Sequence, residues 1–532
     1  MIAPGVQVIV SDDLCKRNAA HNLSEEFGSQ AMIIGACSQL RHKLYFWDEV
    51  ASKVPYSIRV IDILGELSMS YDSMIVAERI KLLLWAQVTS VSQFKPIYKD
   101  NLKLAFSRPG DKVNRREFLV LPLPRYEIVP FIESSKCAGG DRCHLCYDNC
   151  LLRAVTIRGN VVTIDNDVCN GCGACVAECP RGAVYYPTCS FEELDSEMEG
   201  LLLDDGVSLE PRIVAVSYQT CPSDYGSGAD GQITYPPSML PLKIPCLSAV
   251  SPWLMLRAFD MGAQGLAIVS GQRECRSHFN VAVLKDNIEF VQAVLEYLGV
   301  APERIELFEV RETNVIEVAD KLGRFAAKIM GFDNTVFKLA DRTPLSAGGL
   351  KLSSLVAAMS NRLARKAGVS ISKGAVPFGK VILDGARCTG CGLCAMTCPT
   401  DALALQLSDG YQLLFYHGSC VSCGICVNVC PEKCIKLQRI LEIDKICRGE
   451  PIFFDSIIGC RRCGKPVAPM SMITSLRSRL QKAGIHTVDQ LELCPVCKAE
   501  TVCYKTIEKE DNVASTINKS LASKGRAGLG GI

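Results

Sequence analysis

The residues with the clearest chemistry are eight cysteines between positions 388 and 431. Two stretches, CTGCGLCAMTCPT and CVSCGICVNVCPE, place thiolates at Cys388, Cys391, Cys394 and Cys398, then at Cys420, Cys423, Cys426 and Cys430. The spacing C-x2-C-x2-C-x3-C-P is the ligand run of [4Fe–4S] cubanes. Three closely spaced sulfurs wrap one face of a cubane, and the fourth is carried past a short helix to the neighbouring one. Cys388, Cys391, Cys394 and Cys430 are therefore expected around one cluster, and Cys420, Cys423, Cys426 and Cys398 around the other. Pro399 and Pro431 follow the fourth sulfur directly and stop the loop from continuing as helix. Zinc is a poorer fit, because it normally takes two C-x2-C knuckles without a third cysteine in register.

The run recurs at CNGCGACVAECPRGAVYY, with Cys169, Cys172, Cys175, Cys179 and Pro180. Its upstream partner is less regular: Cys137, Cys143, Cys146 and Cys150, with AGGDR inserted after the first ligand. From Cys150 to Cys169 is 19 positions, close to the 22 from Cys398 to Cys420. The same crossing logic assigns Cys137, Cys143, Cys146 and Cys179 to one cubane, and Cys169, Cys172, Cys175 and Cys150 to another. His144, inside the first loop, reads as a solvent-facing side chain. Both repeats resemble bacterial-type two-cluster ferredoxins, which implies α+β modules at 131–189 and 380–440 and four [4Fe–4S] clusters in all.

A different pattern closes the chain. CRRCG at Cys460 and Cys463 and CPVC at Cys494 and Cys497 are two knuckles able to form a tetrahedral four-sulfur site. Zinc ribbons and rubredoxin-like iron sites share this signature; zinc is favoured over mononuclear iron. The expected domain covers 441–510, with a helix in MSMITSLRSRLQKAG between the knuckles and a flexible tail at 511–532. Cys434 reads as an inert buried thiol, and Cys447 and Cys503 as spare.

The elements that position these sites read as two small α/β domains. Within residues 1–130, GVQVIV, AMIIGAC and YSIRVIDIL alternate as strands with helices over 13–27, 38–52 and 74–94, which implies a parallel sheet. Within 205–335, IVAVSY, PLKIPCL, GLAIVSG and RIELFEV read as parallel strands, with SPWLMLRAFDMG, 283–298 and 314–330 as the helices between them. That pattern predicts a flavodoxin-like, doubly wound unit whose ligand edge lies at the carboxyl ends of the strands. Cys221, Cys246 and Cys275 each follow a strand, so the fold could gather all three there. The polar SFEELDSEMEGLLLDDG reads as a linker, and 336–379 as a connector with one helix in LSSLVAAMSNRLARKAG. No G-x-G-x-x-G follows the first strand, and neither flavin nor nicotinamide is expected on this chain.

Two family resemblances follow from these segments. Asp13 to Val91, with Cys15 ahead of a helix and IIGACSQLRHKLYFW at the end of a strand, resembles the N-terminal part of the A-type subunit of heterodisulfide reductases. That resemblance implies an N-terminal cluster touching Cys15 and Cys37, with two buried thiols packing as small hydrophobes as the other reading; the family's flavin-binding portion is absent. IPC ahead of a helix, the aromatic-rich loop after the first strand, and GAQGLAIVSGQREC resemble the delta subunit of methyl-viologen-reducing hydrogenase. This implies a [2Fe–2S] cluster on Cys221, Cys246 and Cys275. Gly271 and Gln272 stand where family members usually carry another cysteine, so either Cys189 or a non-cysteine group supplies the fourth bond, or this cluster is absent.

Composition sets the frame. The chain has 532 residues, 48% hydrophobic and 22% charged, with a net charge of +1 and 29 cysteines. The charge balance offers nothing for nucleic acid or an anionic membrane to recognise. There is no export signal and no run of 18 apolar residues, so a reducing cytoplasm, that of an anaerobe, and no membrane-spanning segment are expected. Clustered cysteines in such a chain mean metal or redox ligation rather than disulfides. The expected function is an electron-transfer subunit relaying electrons through iron–sulfur clusters in a heterodisulfide-reductase-type complex. Its expected partners are a hydrogenase or formate dehydrogenase module and a flavin-bearing subunit. Whether the chain is itself an enzyme is left open: the alternative is an iron–sulfur reductase acting on a small substrate at one α/β domain, and a third reading is a metal-stabilised scaffold. The six histidines form no H-x3-H or H-E-x-x-H pattern, which weighs against the enzyme.

Overall fold

The computed structural model describes residues 32–36, 58–62, 72–91, 102–105, 125–186, 189–202, 208–218, 236–271, 280–310, 315–333, 342–344, 351–363, 368–407, 410–485 and 489–500. Cys15, Cys37, Cys221, Cys275, Cys503, the strand GVQVIV and the tail 511–532 lie outside the described residues. Contacts divide the chain into two compact units. The first comprises Met1–Lys380, His417–Cys423 and Arg439–Arg448; the second comprises Val381–Tyr416, Gly424–Gln438 and Gly449–Ile532.

In the first unit, β1 (Met32–Ala36) and β2 (Ile58–Asp62) pair in parallel, as their apolar alternation with helical segments predicts. α1 (Ser73–Val91) follows, then an antiparallel pair that the sequence did not suggest, β3 (Leu102–Ala105) with β4 (Arg125–Ile128). Next come β5 (Phe131–Ile132), α2 (Leu145–Asp148), the hairpin of β6 (Val155–Arg158) and β7 (Val161–Ile164), α3 (Ala174–Glu178) and β8 (Val184–Tyr185). β5 and β8 pair antiparallel, and Phe131 and Tyr185 stack edge to face across them.

The stretch read as a linker is instead α4 (Phe191–Leu201). Ser190 and Glu193 form a capping box: the Ser190 hydroxyl accepts the Glu193 N–H at 3.2 Å, and the Glu193 carboxylate accepts the Ser190 N–H at 2.8 Å. Of its acidic residues, Glu193, Asp195 and Glu197 are buried and partnered. Gln87 donates to Glu197 at 3.0 Å, and Thr89 donates to the Ser196 carbonyl at 2.6 Å. α4 approaches α1 so closely that a Cβ on Gly200 would lie 2.4 Å from Ala86 Cα.

β9 (Ile213–Tyr218), β10 (Met239–Ile244), α5 (Pro252–Asp260), β11 (Gly265–Gly271), α6 (Asn280–Tyr297), β12 (Ile305–Val310) and α7 (Val315–Met330) build the doubly wound domain. The sheet runs β10-β9-β11-β12, parallel throughout. Alternate strand residues serve opposite layers. Val214, Val216, Leu240, Leu242, Leu266 and Ile268 share a core with α5 and α6, while Ile213, Met239, Ala267 and Val269 share one with α7. Arg257 of α5 is buried and ties this domain to α4: its Nε donates to Asp195 at 2.5 Å and Nη1 to Asp260 at 2.5 Å. α8 (Leu352–Leu363), in the segment read as a connector, buries Leu355, Val356 and Met359 and packs on α5, and Arg362 pairs with Asp260. β13 (Ser370–Ile371) leads toward the second repeat.

The remaining elements are β14 (Gly379–Leu383), α9 (Leu393–Met396), β15 (Leu403–Gln406), β16 (Tyr411–Tyr416), α10 (Ile425–Val429), β17 (Ile435–Arg439), β18 (Leu441–Glu442), β19 (Gly449–Asp455), β20 (Ile457–Gly459), β21 (Pro466–Pro469) and α11 (Met470–Lys482). β13 pairs with β18 in the first unit. β14 pairs with β17; in the second unit β15, β16 and β19 form an antiparallel sheet and β20 pairs with β21. Among the described residues no helix is long and apolar enough to cross a membrane.

Candidate metal centres

Each ligand loop closes on its own sulfurs through backbone N–H groups. The N–H two positions beyond the first cysteine donates to it: Gly139 to Cys137 at 3.4 Å, Gly171 to Cys169 at 3.4 Å and Gly390 to Cys388 at 3.5 Å. The N–H four positions beyond the fourth cysteine does the same: Ala154 to Cys150, Ala183 to Cys179 and Ala402 to Cys398, all at 3.2 Å, and Cys434 to Cys430. The chain reaches that second bond through a left-handed residue, with φ of 55° at Arg153, 60° at Gly182, 54° at Asp401 and 48° at Lys433. Cys137 and Cys150 thus accept the same backbone bonds as the first and fourth cysteines of the regular loops, despite the irregular spacing. Such N–H groups stabilise sulfur charge and are a lever on cluster potential.

In the second unit a small pocket is lined by Cys388, Cys391, Cys394 and Cys430 and walled by Leu383, Tyr411, Leu413 and Phe453. The four sulfurs expected around one cubane therefore converge on one apolar pocket. Burial, followed by the neighbouring cysteines, pushes the Cys394 thiol up to about 12; Cys146 in the first module is pushed up to about 12 by the same causes. Packed thiols hold their protons until a cation compensates the charge, which is what coordination does. The donor set and the pocket fit an iron–sulfur cluster.

Cys420 and Cys423 belong to the first unit, Cys398 and Cys426 to the second. Their loop is anchored in the first unit, where the Gly379 N–H donates to the Cys420 carbonyl at 3.3 Å and the Glu442 N–H donates to His417 Nε2 at 2.8 Å.

The first module has a further cysteine near each end, both within the first unit. Cys246 sits buried beyond the carboxyl end of β10, its thiol 3.4 Å from the Ser248 hydroxyl. α3 packs on the turn Leu247–Ala249, and Cys172 and Cys246 interact electrostatically. Tyr186, buried and near enough to both to feel their charge, donates its hydroxyl to the Gly171 carbonyl at 2.8 Å. Cys172, Cys175, Cys189 and Cys246 all act on that phenol, and burial, ahead of their charge, drives its pKa well up. At the other end Cys143 interacts with Cys423, and Glu178 with Arg439.

Cys460, Cys463, Cys494 and Cys497 present sulfurs that all lie within 4.8 Å of one another. Cys494 N–H donates to Cys460 Sγ at 3.3 Å and draws that thiol down to about 6. Arg461 and Arg477 both pair with Glu492, bracing the two knuckles. The set fits a tetrahedral thiolate-bound metal.

His144 and Cys447 are exposed. Two residues escaped the sequence reading. Tyr186 carried no motif signal. Cys434 was read as inert, but its Sγ lies 3.5 Å from Cys430 Sγ, it hydrogen-bonds Cys388, and it lines the cavity. Comparing the four fourth-cysteine loops, LLRA, PRGA, PTDA and PEKC, would have exposed it.

Residues 217–332 match the family described as methyl-viologen-reducing hydrogenase, delta subunit. Residues 381–437 match a 4Fe-4S dicluster domain, and 162–185 a 4Fe-4S binding domain. The chain is 27% identical over 124 residues to the D-type iron-sulfur subunit of the F420-non-reducing hydrogenase of Archaeoglobus profundus, covering 23% of this chain and 89% of that protein. It is 28% identical over 101 residues to the vhu D-type iron-sulfur subunit of the F420-non-reducing hydrogenase of Methanococcus maripaludis, covering 19% and 75%. It is 30% identical over 102 residues to the vhc D-type iron-sulfur subunit of the same kind of hydrogenase in Methanococcus voltae, covering 18% and 68%.

Proposed function

Because the chain belongs to the family of methyl-viologen-reducing hydrogenase delta subunits and sets that domain between 4Fe-4S modules, we propose that it is an electron-transfer subunit of a heterodisulfide-reductase-type complex. Its partners in this reading are a hydrogenase or formate dehydrogenase module and a flavin-bearing subunit, in a cytoplasmic assembly. One observation carries the reading. Within the first unit, Cys172 of the first module is near enough to Cys246, and Cys143 to Cys423, to interact electrostatically, and α3 packs on the turn that follows Cys246. Four [4Fe–4S] clusters on the sixteen module cysteines, with a [2Fe–2S] cluster at Cys246 together with Cys221 and Cys275, would supply one-electron carriers in series.

The protein's own contribution is spacing and tuning. α3 against the turn Leu247–Ala249 fixes the approach of one loop, and the buried Tyr186 ring is anchored on that loop through Gly171. Backbone N–H groups on the ligand sulfurs and the apolar walls of Leu413 and Phe453 set the electrostatic environment of each site. The site at Cys460, Cys463, Cys494 and Cys497 is read as structural zinc.

Anaerobic iron and acid-labile sulfide analysis, with EPR during a stepwise reductive titration, tests the proposal. About sixteen iron atoms with matching sulfide are expected from four cubanes, plus a further pair lost on Cys246→Ala. A chain that holds only zinc and shows no reducible centre overturns it.

A further inference from the structure

The four loops that follow a fourth ligand cysteine are copies of one design. Each returns through a left-handed residue and delivers the next N–H to the ligand sulfur. In three of them that donor is a buried alanine: Ala154, Ala183 and Ala402, each exposed by no more than 2%. In the fourth it is Cys434. Its backbone is held as in the copies, with the Asp384 N–H on the Cys434 carbonyl at 2.9 Å, and only the side chain differs. The added sulfur lies 3.5 Å from Cys430 Sγ, hydrogen-bonds Cys388 Sγ and lines the same cavity as the four expected ligands. Packing alone does not call for it, since a methyl group fills the position in the other three loops.

We propose that Cys434 is a fifth thiol of this cluster site, bonded through hydrogen to the Cys430 ligand and able to replace it. The inference rests on the reading of this pocket as a cubane site. In the exchange the iron bond to Cys430 Sγ breaks and one to Cys434 Sγ forms, while the Cys434 thiol proton passes to the departing Cys430 thiolate. Charge and electron count are unchanged, so the exchange needs no oxidant or reductant. The 3.5 Å separation serves the proton transfer, and both residues line the same pocket.

The experiment uses the full chain, purified anaerobically, as wild type, Cys434→Ala, Cys430→Ala and the double variant. Iron and sulfide content and EPR of the reduced state are the readouts. Wild-type protein without iron would sink the cubane reading itself, before any question of Cys434. With iron present in the wild type, Cys430→Ala is expected to keep the full complement, and the double variant to lose about four iron atoms. If Cys430→Ala alone loses as much iron as the double variant, Cys434 does not substitute and the proposal fails. Cys434→Ala copies the sequence of the other three loops and keeps the four expected ligands. It is expected to retain all iron while the EPR signal and midpoint potential of one cluster shift, through loss of the hydrogen bond to Cys430. An unchanged signal and potential in that variant overturn the proposal independently.

Discussion

Replacing Arg257 by methionine tests the bracket that joins α4 to the doubly wound domain. The guanidinium is 1% exposed and donates to Asp195 at 2.5 and 3.2 Å, to Asp260 at 2.5 Å and to the Thr343 carbonyl at 2.7 Å. Asp260 keeps Arg362 as a partner, whereas Asp195, 4% exposed, loses its guanidinium. Removing one member of a buried ion pair costs about 3–5 kcal/mol, because the remaining charge stays desolvated. Dividing by a urea dependence of about 1–3 kcal/mol per molar puts the midpoint shift at roughly 1 M or more. The assay is urea unfolding followed by circular dichroism, with Arg324→Met on the exposed face of α7 as the control. Adding Asp195→Asn to Arg257→Met is expected to recover part of the loss, since the stranded charge is then gone. α4 begins just after Cys189, so the same variant is also expected to loosen the wall around Tyr186. A midpoint no lower than that of the Arg324 control would refute the argument that this network is desolvated and integral.

Gly173 has φ of 76°, and a Cβ there would lie 2.2 Å from the Tyr186 hydroxyl oxygen, while a Cβ on Gly424, with φ of 78°, would meet nothing within 4 Å. Gly424→Ala is therefore expected to cost only the left-handed strain, about 1–2 kcal/mol. Gly173→Ala should also lose iron, with partial recovery on adding Tyr186→Phe; equal losses from both glycines would contradict this. Burial holds the pKa of His417 below 6.5, and its Nε2 accepts the Glu442 N–H, a bond open only to the unprotonated nitrogen. The depressed pKa means that this contribution is complete above about 6.5 and lost as pH falls through the folded value. Urea midpoints should thus decline on the acid side, and His417→Gln should flatten that decline; an unaltered pH profile in the variant refutes the assignment. Cys463→Ser is expected to remove about one zinc per chain and leave the iron content intact. Loss of iron in its place would mean that the four-cysteine site is not a separate structural metal.

What could be read from the sequence was whatever chemistry writes at fixed intervals. A cubane needs sulfurs at rigid offsets, so the cysteine loops were visible even where AGGDR interrupts one, and the N–H bond from Gly139 to Cys137 has the form seen at Cys169 and Cys388. The parallel strands were visible because a sheet covered on both faces reads as continuous apolar runs. α4 was hidden because its polarity is satisfied by distant residues: Asp195 pairs with Arg257 and Glu197 with Gln87, partners that no local window contains. Only the Ser190–Glu193 capping box was local, and it argued for a helix start against the charge pattern that argued for a linker. Tyr186 was hidden for the same reason, since its role depends on where β10 and the turn after it deliver Cys246. Cys434 is different in kind. Its spacing breaks no rule of the ligand run, so a search for the motif passes over it, yet its position is defined by three internal copies that carry alanine. Comparing a repeat with itself thus isolates a side chain that packing does not require: the three other loops carry alanine where this one sets a thiol 3.5 Å from Cys430 Sγ.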